Sequence, residues 1–249
     1  MDSPLIWVQA VMLAAARLTV GLGLTPLFSA FAMPMLARLI FILVLSSLAV
    51  DVQGTLPPAA DLAAMVPALC NEVGLGLLLS VGVHAAFAAF SIGGRLIDAQ
   101  MGFTLGAVLD PVSKGHAAVM ASGLNLLAVV LFFVTDAHQL LLTGCFRTFE
   151  LLPLGQGWSA QGWFPVAMGA GSMFALGFMM AAPVVIGLLL ADVVVAVVSR
   201  NLPQMNVLFL SIPMKVLLGL VVMAVSVHFM SPLAARALAL PVHLLDKVQ

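Results

Sequence analysis

Six ionisable side chains stand in otherwise apolar surroundings in this chain: Arg17, Arg38, Glu72, Asp136, Asp192 and Lys215. At the middle of a bilayer each charge would cost about 2.5–3.5 kcal/mol, and less near an interface. Such groups pair with one another between helices or snorkel from a helix end; otherwise they line a water-filled path or meet a partner subunit. Arg38 and Lys215 follow prolines by four and two residues, a spacing that predicts helix starts near an interface. Other chemistry finds less support. His84, His116, His138, His228 and His243 lie far apart, and none shows the paired spacing of a zinc-binding helix, so no metal site is expected. Cys70 and Cys145 are also distant from each other, both in or beside apolar runs, and both are expected to be buried, inert thiols. No nucleophile elbow, phosphate-binding glycine loop or GxGD-like protease motif is present. Neither a catalytic residue nor a cofactor is expected, and the chain does not read as an enzyme.

The elements that carry these charges are apolar throughout. Of 249 residues 63% are hydrophobic and only 8% charged, and the mean hydropathy is +1.21. Soluble domains carry about 25% charged residues, so a water-soluble fold would have to expose much apolar surface. An integral membrane or membrane-assembled protein is expected. The net charge of −1, with nine Lys and Arg scattered singly, argues against nucleic acid as a partner. The first residues have Asp2 where a signal peptide has a basic cluster, and Arg17 interrupts the apolar run. This stretch is therefore expected to be a retained first membrane segment.

Apolar blocks run over roughly 5–30, 35–50, 62–90, 117–135, 138–152, 164–198 and 205–230. Their Leu, Ala, Val and Met content predicts helices, and the ~10-residue alternation of a β-barrel is absent. Two blocks are short and one is long, a set that suits tilted, kinked or partly extramembrane helices better than regular spans. Between them lie the turn "DVQGTLPPAAD", the loop "LPLGQGWSAQGWFP" and the turn "SRNLPQMN", the last expected to close a helical hairpin. Trp158 and Trp163 in the loop suit a membrane interface. Pro4, Pro26, Pro34, Pro183 and Pro213 are each expected to end or kink a helix. Gly102 and Gly106 form a GxxxG, and Gly169, Gly171 and Gly177 follow later; such residues let helices approach closely. The charge balance of the connecting segments fixes no orientation. One stretch stands apart: "QMGFTLGAVLDPVSKG", Gln100 to Gly115, is too apolar for a surface loop and too short and glycine-rich to span a bilayer.

Several fragments together resemble the FliR/SctT family of type III export-gate proteins of bacterial flagella and injectisomes. "ARLTVGLGLTPLFSAFAMPMLARL" carries the family's Arg and Pro pattern at Arg17, Pro26, Pro34 and Arg38. "NEVGLGLLLSVGVHAAFAAFSIGGRLIDAQMGFTLGAVLDP" is similar to the family's glutamate-led helix at Glu72, running into its signature at Gln100, Met101, Gly102, Asp110 and Pro111. "LLPLG" and "AAPVVIGLLLADVVVAVVSRNLPQMNVLFLSIPMK" follow in order. The last segment also resembles the small FliQ/SctS gate subunit, with the family's Pro-Lys pair spread here to Pro213 and Lys215.

The resemblance implies an all-α membrane-assembled protein of long kinked hairpins. A FliP/SctR-like part, residues 1–165, would join a FliQ/SctS-like hairpin and C-terminal tail, residues 166–249. It implies a non-enzymatic subunit of the export gate in the bacterial inner membrane, at the base of a secretion apparatus. Partners would be FliP/SctR-like, FliQ/SctS-like and FlhB/SctU-like subunits and the exported proteins. Residues 100–116 would form a pore loop, with Phe103, Leu105, Val108 and Leu109 as apolar bulk and Gly102 and Gly106 as the flexible points. Gln100, Met101 and Thr104 belong to the same loop, which Asp110–Pro111 would end. Arg200, Asn201, Pro203, Gln204 and Asn206 would form a turn contacting the FlhB/SctU-like partner. The six buried charges would face other subunits or the channel. "QMGFTLGAVLDP" and "FFVTDAHQLLL" read as flagellar, whereas "IDAQ" and the Arg95/Asp98 pair have an injectisome flavour. Two alternatives stand beside the flagellar gate. One is the injectisome version of the same subunit (in either branch, the alternative to a pore loop at 100–116 is a buried re-entrant turn with no gating role). The other is a small-molecule or ion transporter using Glu72, Asp136, Asp192 and Lys215.

Overall fold

The computed structural model describes residues 4–26, 33–54, 62–103, 118–155, 163–201 and 207–245, and among these the alternating apolar runs and proline- or glycine-marked breaks produce seven helices. They are α1 (Pro4–Gly21), α2 (Met35–Gln53), α3 (Leu62–Met101), α4 (Val119–Val134), α5 (Ala137–Leu151), α6 (Trp163–Asn201) and α7 (Val207–Leu245). No strand occurs among the described residues. Each helix falls on one of the seven apolar blocks, so the all-α expectation holds. Four helices are long and apolar enough to cross a membrane: α1, α2, α3 and α6. Neither α4 nor α5 reaches that length alone, but the two pass as one broken span. The protein is a multi-pass membrane protein.

The breaks have local causes. Pro34, at φ −55° and ψ 139°, stands before α2, and Gly54, left-handed at φ 62°, ends it with its N–H on the Val50 carbonyl, 3.2 Å away. Asp136 is also left-handed, at φ 55°, and separates α4 from α5. Asp tolerates that conformation better than most side chains. Of the prolines expected to end or kink a helix, Pro183 and Pro213 lie inside α6 and α7 and end neither; Pro67, not singled out from the sequence, lies inside α3. Lys215 is a correction: α7 begins at Val207, so this lysine lies well inside the helix instead of at its start. Arg38 sits in the first turn of α2 as expected, its N–H on the Pro34 carbonyl.

The chain forms two units. One comprises Met1–Ala86, Phe132–Gly171 and Leu238–Gln249; the other comprises Phe87–Leu131 and Ser172–Ala237. In the first, α1 and α2 run antiparallel. Trp7 near the start of α1 donates its indole N–H to Asp51 near the end of α2, at 3.0 Å. The buried face of α1 is Ala10, Leu13, Ala14, Arg17, Leu18 and Gly21, a spacing of three and four that makes one stripe of a helix. Arg17 therefore points inward by its place on the stripe. In the second unit Phe87, Ala89, Phe90, Ile97 and Met101 of α3 are buried, as are Met173, Met180, Ala181, Val184 and Leu188 of α6.

Candidate functional site

Polar chemistry in the first unit converges on Arg17. On α3, Glu72 and Gly76 lie one turn apart on one face. A Cβ on Gly76 would stand 2.5 Å from the Arg17 carbonyl, so only glycine lets α1 come this close. That approach brings the Arg17 Nε–H onto Glu72 Oε2 at 2.6 Å, with both side chains wholly buried. The remaining guanidinium donors reach the end of α5: Nη1 to the Thr148 carbonyl at 3.0 Å, and Nη2 to the Leu152 carbonyl at 2.9 Å. A cation is favoured at a helix C-terminus, and here the Thr148 carbonyl also accepts the Leu152 N–H at 3.0 Å. Phe149 lies flat enough under the guanidinium to place its ring centre 4.4 Å from Cζ. Glu72 Oε1 accepts the Gly155 N–H at 3.1 Å, where the backbone is left-handed at φ 78°. One charge pair thus joins α1, α3, the end of α5 and the "LLPLG" turn.

The second unit holds the base of the 100–116 segment. Gln100 and Met101, expected in a loop, are the last two residues of α3. Gly102 follows at φ 85°, a conformation that side chains rarely adopt, and Phe103 is half-buried. Thr104, Leu105, Gly106, Val108, Leu109, Asp110 and Pro111 lie outside the described residues. Three contacts set α3 and α4 antiparallel, in order toward that segment. Ser91 Oγ donates to Asn125 Oδ1 at 3.0 Å. Gly94 presses on the backbone of Ala121, where an added Cβ would stand 2.6 Å from the amide nitrogen. Asp98 then accepts the Met120 N–H on Oδ1 at 2.9 Å and the Ala121 N–H on Oδ2 at 3.0 Å. Met101 is fully buried, its side chain against Gly219 of α7.

The expected hairpin is built from α6 and α7. Gly187 faces Val222, and Asp192 pairs with Lys215, so the two helices run antiparallel. Arg200 and Asn201 close α6, both exposed, with Asn201 Nδ2 on the Val197 carbonyl at 3.1 Å. Pro203, Gln204 and Asn206 lie outside the described residues. Of the six charges, then, four form two pairs, Arg17 with Glu72 and Asp192 with Lys215. Arg38 is half-buried. Asp136 is exposed on this chain, where it accepts the Gln139 side-chain N–H at 3.2 Å.

Cys145 is buried as expected, but Cys70 is exposed on α3, correcting the expectation of two buried thiols. Among the described residues no group of His, Cys, Asp and Glu could hold a metal ion. The close-packing glycines are also partly different ones. Gly177 does press on α3, 2.5 Å from the Ala89 carbonyl to an added Cβ, whereas Gly171 faces open space. Gly76, Gly93, Gly94 and Gly219 were not singled out from the sequence, nor was Asp98 as a cap. The signal was partly present: α4 follows Ala118, which has no capping group of its own, and of the two acids of the preceding helix Asp98 lies near its end.

Long apolar helices, held by small-residue contacts, one buried charge pair and one partly exposed pair, define an all-α membrane protein. The chain belongs to the bacterial export proteins, family 1, which it matches over residues 8–240. This is the type III export-gate family to which its motifs pointed. It is similar to the "Flagellar biosynthetic protein FliR" of Bacillus subtilis (strain 168), 30% identical over 62% of this chain and 61% of that protein. The protein of the same name from Escherichia coli (strain K12) is 28% identical over 65% of this chain and 62% of its own length. The "Surface presentation of antigens protein SpaR" of Shigella sonnei is 31% identical over 60% of this chain and 58% of its own length. The matched regions span about three-fifths of these curated relatives.

Proposed function

We propose that this chain is a structural subunit of a type III protein-export gate of the bacterial inner membrane, in the flagellar branch. The family match over residues 8–240 carries this proposal. The name FliR borne by several of the relatives favours the flagellar branch, and the SpaR relatives keep the injectisome as the alternative. Residues 1–165 would form a FliP/SctR-like part and residues 166–249 a FliQ/SctS-like hairpin with its tail. The antiparallel α6 and α7 suit the latter.

The subunit would join FliP-like, FliQ-like and FlhB-like partners and form part of the entrance of the channel for exported proteins. Its role is structural, with energy supplied by other components. Residues 100–116 would enter the pore and help seal it when idle. An apolar constriction can hold back water and ions by dewetting, and it parts without breaking strong bonds. The described start of this segment supports that placement: a left-handed Gly102 lets the chain leave α3 abruptly.

Purification with and without FliP-like and FliQ-like subunits tests the assignment. A yield of folded protein that depends on those partners is expected. A well-behaved monomer that transports a solute by itself would overturn it in favour of a transporter. Removing residues 104–108 tests the seal. Ion leak should rise while the gate still assembles, and an unchanged leak in an intact assembly rejects the sealing role.

A further inference from the structure

We infer that the outer face of α5 borders water at the depth of the membrane, and that this water belongs to the passage for exported proteins. The first clause stands on geometry and chemistry alone, whereas the second rests on the proposed export gate.

Two unlike faces make up α5. Ala137, Leu141, Gly144, Cys145, Thr148 and Phe149 are buried against the rest of the chain. On the outer side Gln139, Thr143, Arg147 and Glu150 recur every three or four residues, all exposed, and Asp136 continues the row just before the helix. Leu140 is the only exposed apolar residue of α5.

Its neighbours present the opposite kind of outer face. At 18 and 19 residues, α1 and α2 are each about as long as the ~30 Å of hydrocarbon is thick. Leu5 and Met12 of α1 and Leu36, Leu43 and Val44 of α2 stand more than half exposed, as lipid or an apolar partner requires. Against these spans α5 is fixed twice. It packs on α2, and the Thr148 and Leu152 carbonyls at its end take the guanidinium of Arg17, four residues inside the end of α1. A helix tied to both spans lies at their depth.

Lipid tails on the outer face would bring Asp136, Arg147 and Glu150 into hydrocarbon. Charged side chains are rare there and turn instead toward a water-filled cavity or a partner. A helix lying flat on the membrane surface dips its apolar face into lipid, but the apolar face of α5 is already occupied by protein. A charged partner finds no block of one sign to meet. Arg147 and Glu150 are of opposite sign one helical turn apart, and Asp136 accepts the Gln139 side-chain N–H at 3.2 Å. Water satisfies such a mixed row. In the gate it would also give unfolded chains no apolar surface on which to lodge.

Thiol labelling of the assembled gate in membranes tests both clauses. The background is Cys70→Ser, which removes the exposed native thiol; buried Cys145 supplies the blank rate. Thr143→Cys and Gln139→Cys place a thiol on the polar row, and Met12→Cys and Leu43→Cys place one on the apolar outer faces. The probe is a small, permanently cationic methanethiosulfonate. It reacts with the thiolate, which apolar surroundings suppress, so both row positions should react roughly tenfold faster or more than Met12→Cys and Leu43→Cys. Slow reaction at both row positions, or equal reaction at all four, overturns the first clause. For the second, an exported protein fused to a domain that cannot unfold is arrested in the passage, and labelling of Thr143→Cys should slow severalfold. Labelling that keeps its rate with the passage blocked places the water elsewhere and overturns the second clause. If the chain proves to need no partners, the gate reading falls, and the contrast between the row and the apolar faces still decides the first clause.

Discussion

Arg17 and Glu72 form a pair whose value lies in its completeness. Every guanidinium nitrogen has an acceptor, and both carboxylate oxygens have donors. Removing one member of a buried pair strands the other, at about 3–5 kcal/mol, while replacing both with apolar side chains is often far milder. Glu72→Ala and Arg17→Ala should each lower the thermal stability of the purified gate sharply. The double variant Arg17→Met/Glu72→Met should lose clearly less than the two single losses added together. Additive losses in that cycle would show that the pair is not coupled. The sequence marked each of these residues as out of place in apolar surroundings, but it could not say that they meet. Their separation along the chain is large, and half of their partners are backbone carbonyls, which leave no trace in residue identity. Asp98 was equally visible as a charge, and its role was hidden for the same reason: its partners are amide groups.

Helix positions were legible because apolar runs and breaks follow composition. Helix ends were less so, and α3 shows why. Its apolar run fades near residue 90, yet the helix continues to Met101 through Arg95 and Asp98. Polar residues there make bonds to α4, so polarity marks a helix contact and not a helix end. Glycine spacing misled in a similar way. A GxxxG match reports small residues, whereas close approach depends on which face they occupy. Gly177→Ala should destabilise the α3–α6 contact, because the new Cβ would stand 2.5 Å from the Ala89 carbonyl. Gly171→Ala should be neutral or stabilising by up to about 1 kcal/mol, since it gains helix propensity with nothing within 4 Å. Thermal melts of the two variants, compared side by side, check this contrast. In the hairpin, Asp192→Lys with wild-type Lys215 should lower the yield of assembled gate. Adding Lys215→Asp should recover part of it, and no recovery would mean that the pair does not hold α6 to α7.

For the molecule as a whole the decisive quantity is uncovered apolar surface. Only 17% of the apolar window of α6 is buried within the chain, against 67% for α3. Phe174, Phe178, Ile186, Leu190 and Val194 all stand more than half exposed on α6. If partner subunits cover this face, Ile186→Lys should sharply reduce co-purification with them, while the α3–α4 amides stay protected in exchange. Retained co-purification would place this face against lipid instead. No pattern within one chain could reveal which neighbour covers it, since lipid tails and a partner's leucines ask for the same side chains.

Helix length carries a further consequence. At 39 and 40 residues, α6 and α3 each extend about 60 Å along their own axes, twice the ~30 Å hydrocarbon thickness. A bilayer can absorb a few ångströms of mismatch by tilting or thickening, each at a modest cost. It cannot absorb a twofold excess on two helices at once. A newly made copy is therefore poorly matched to the membrane that receives it and, if it joins the proposed gate, the mismatch persists until the partner subunits cover the excess. Thickness itself then separates free copies from incorporated ones: the lipid tolerates the subunit only as a passing guest, and assembly is what gives it a place to stay.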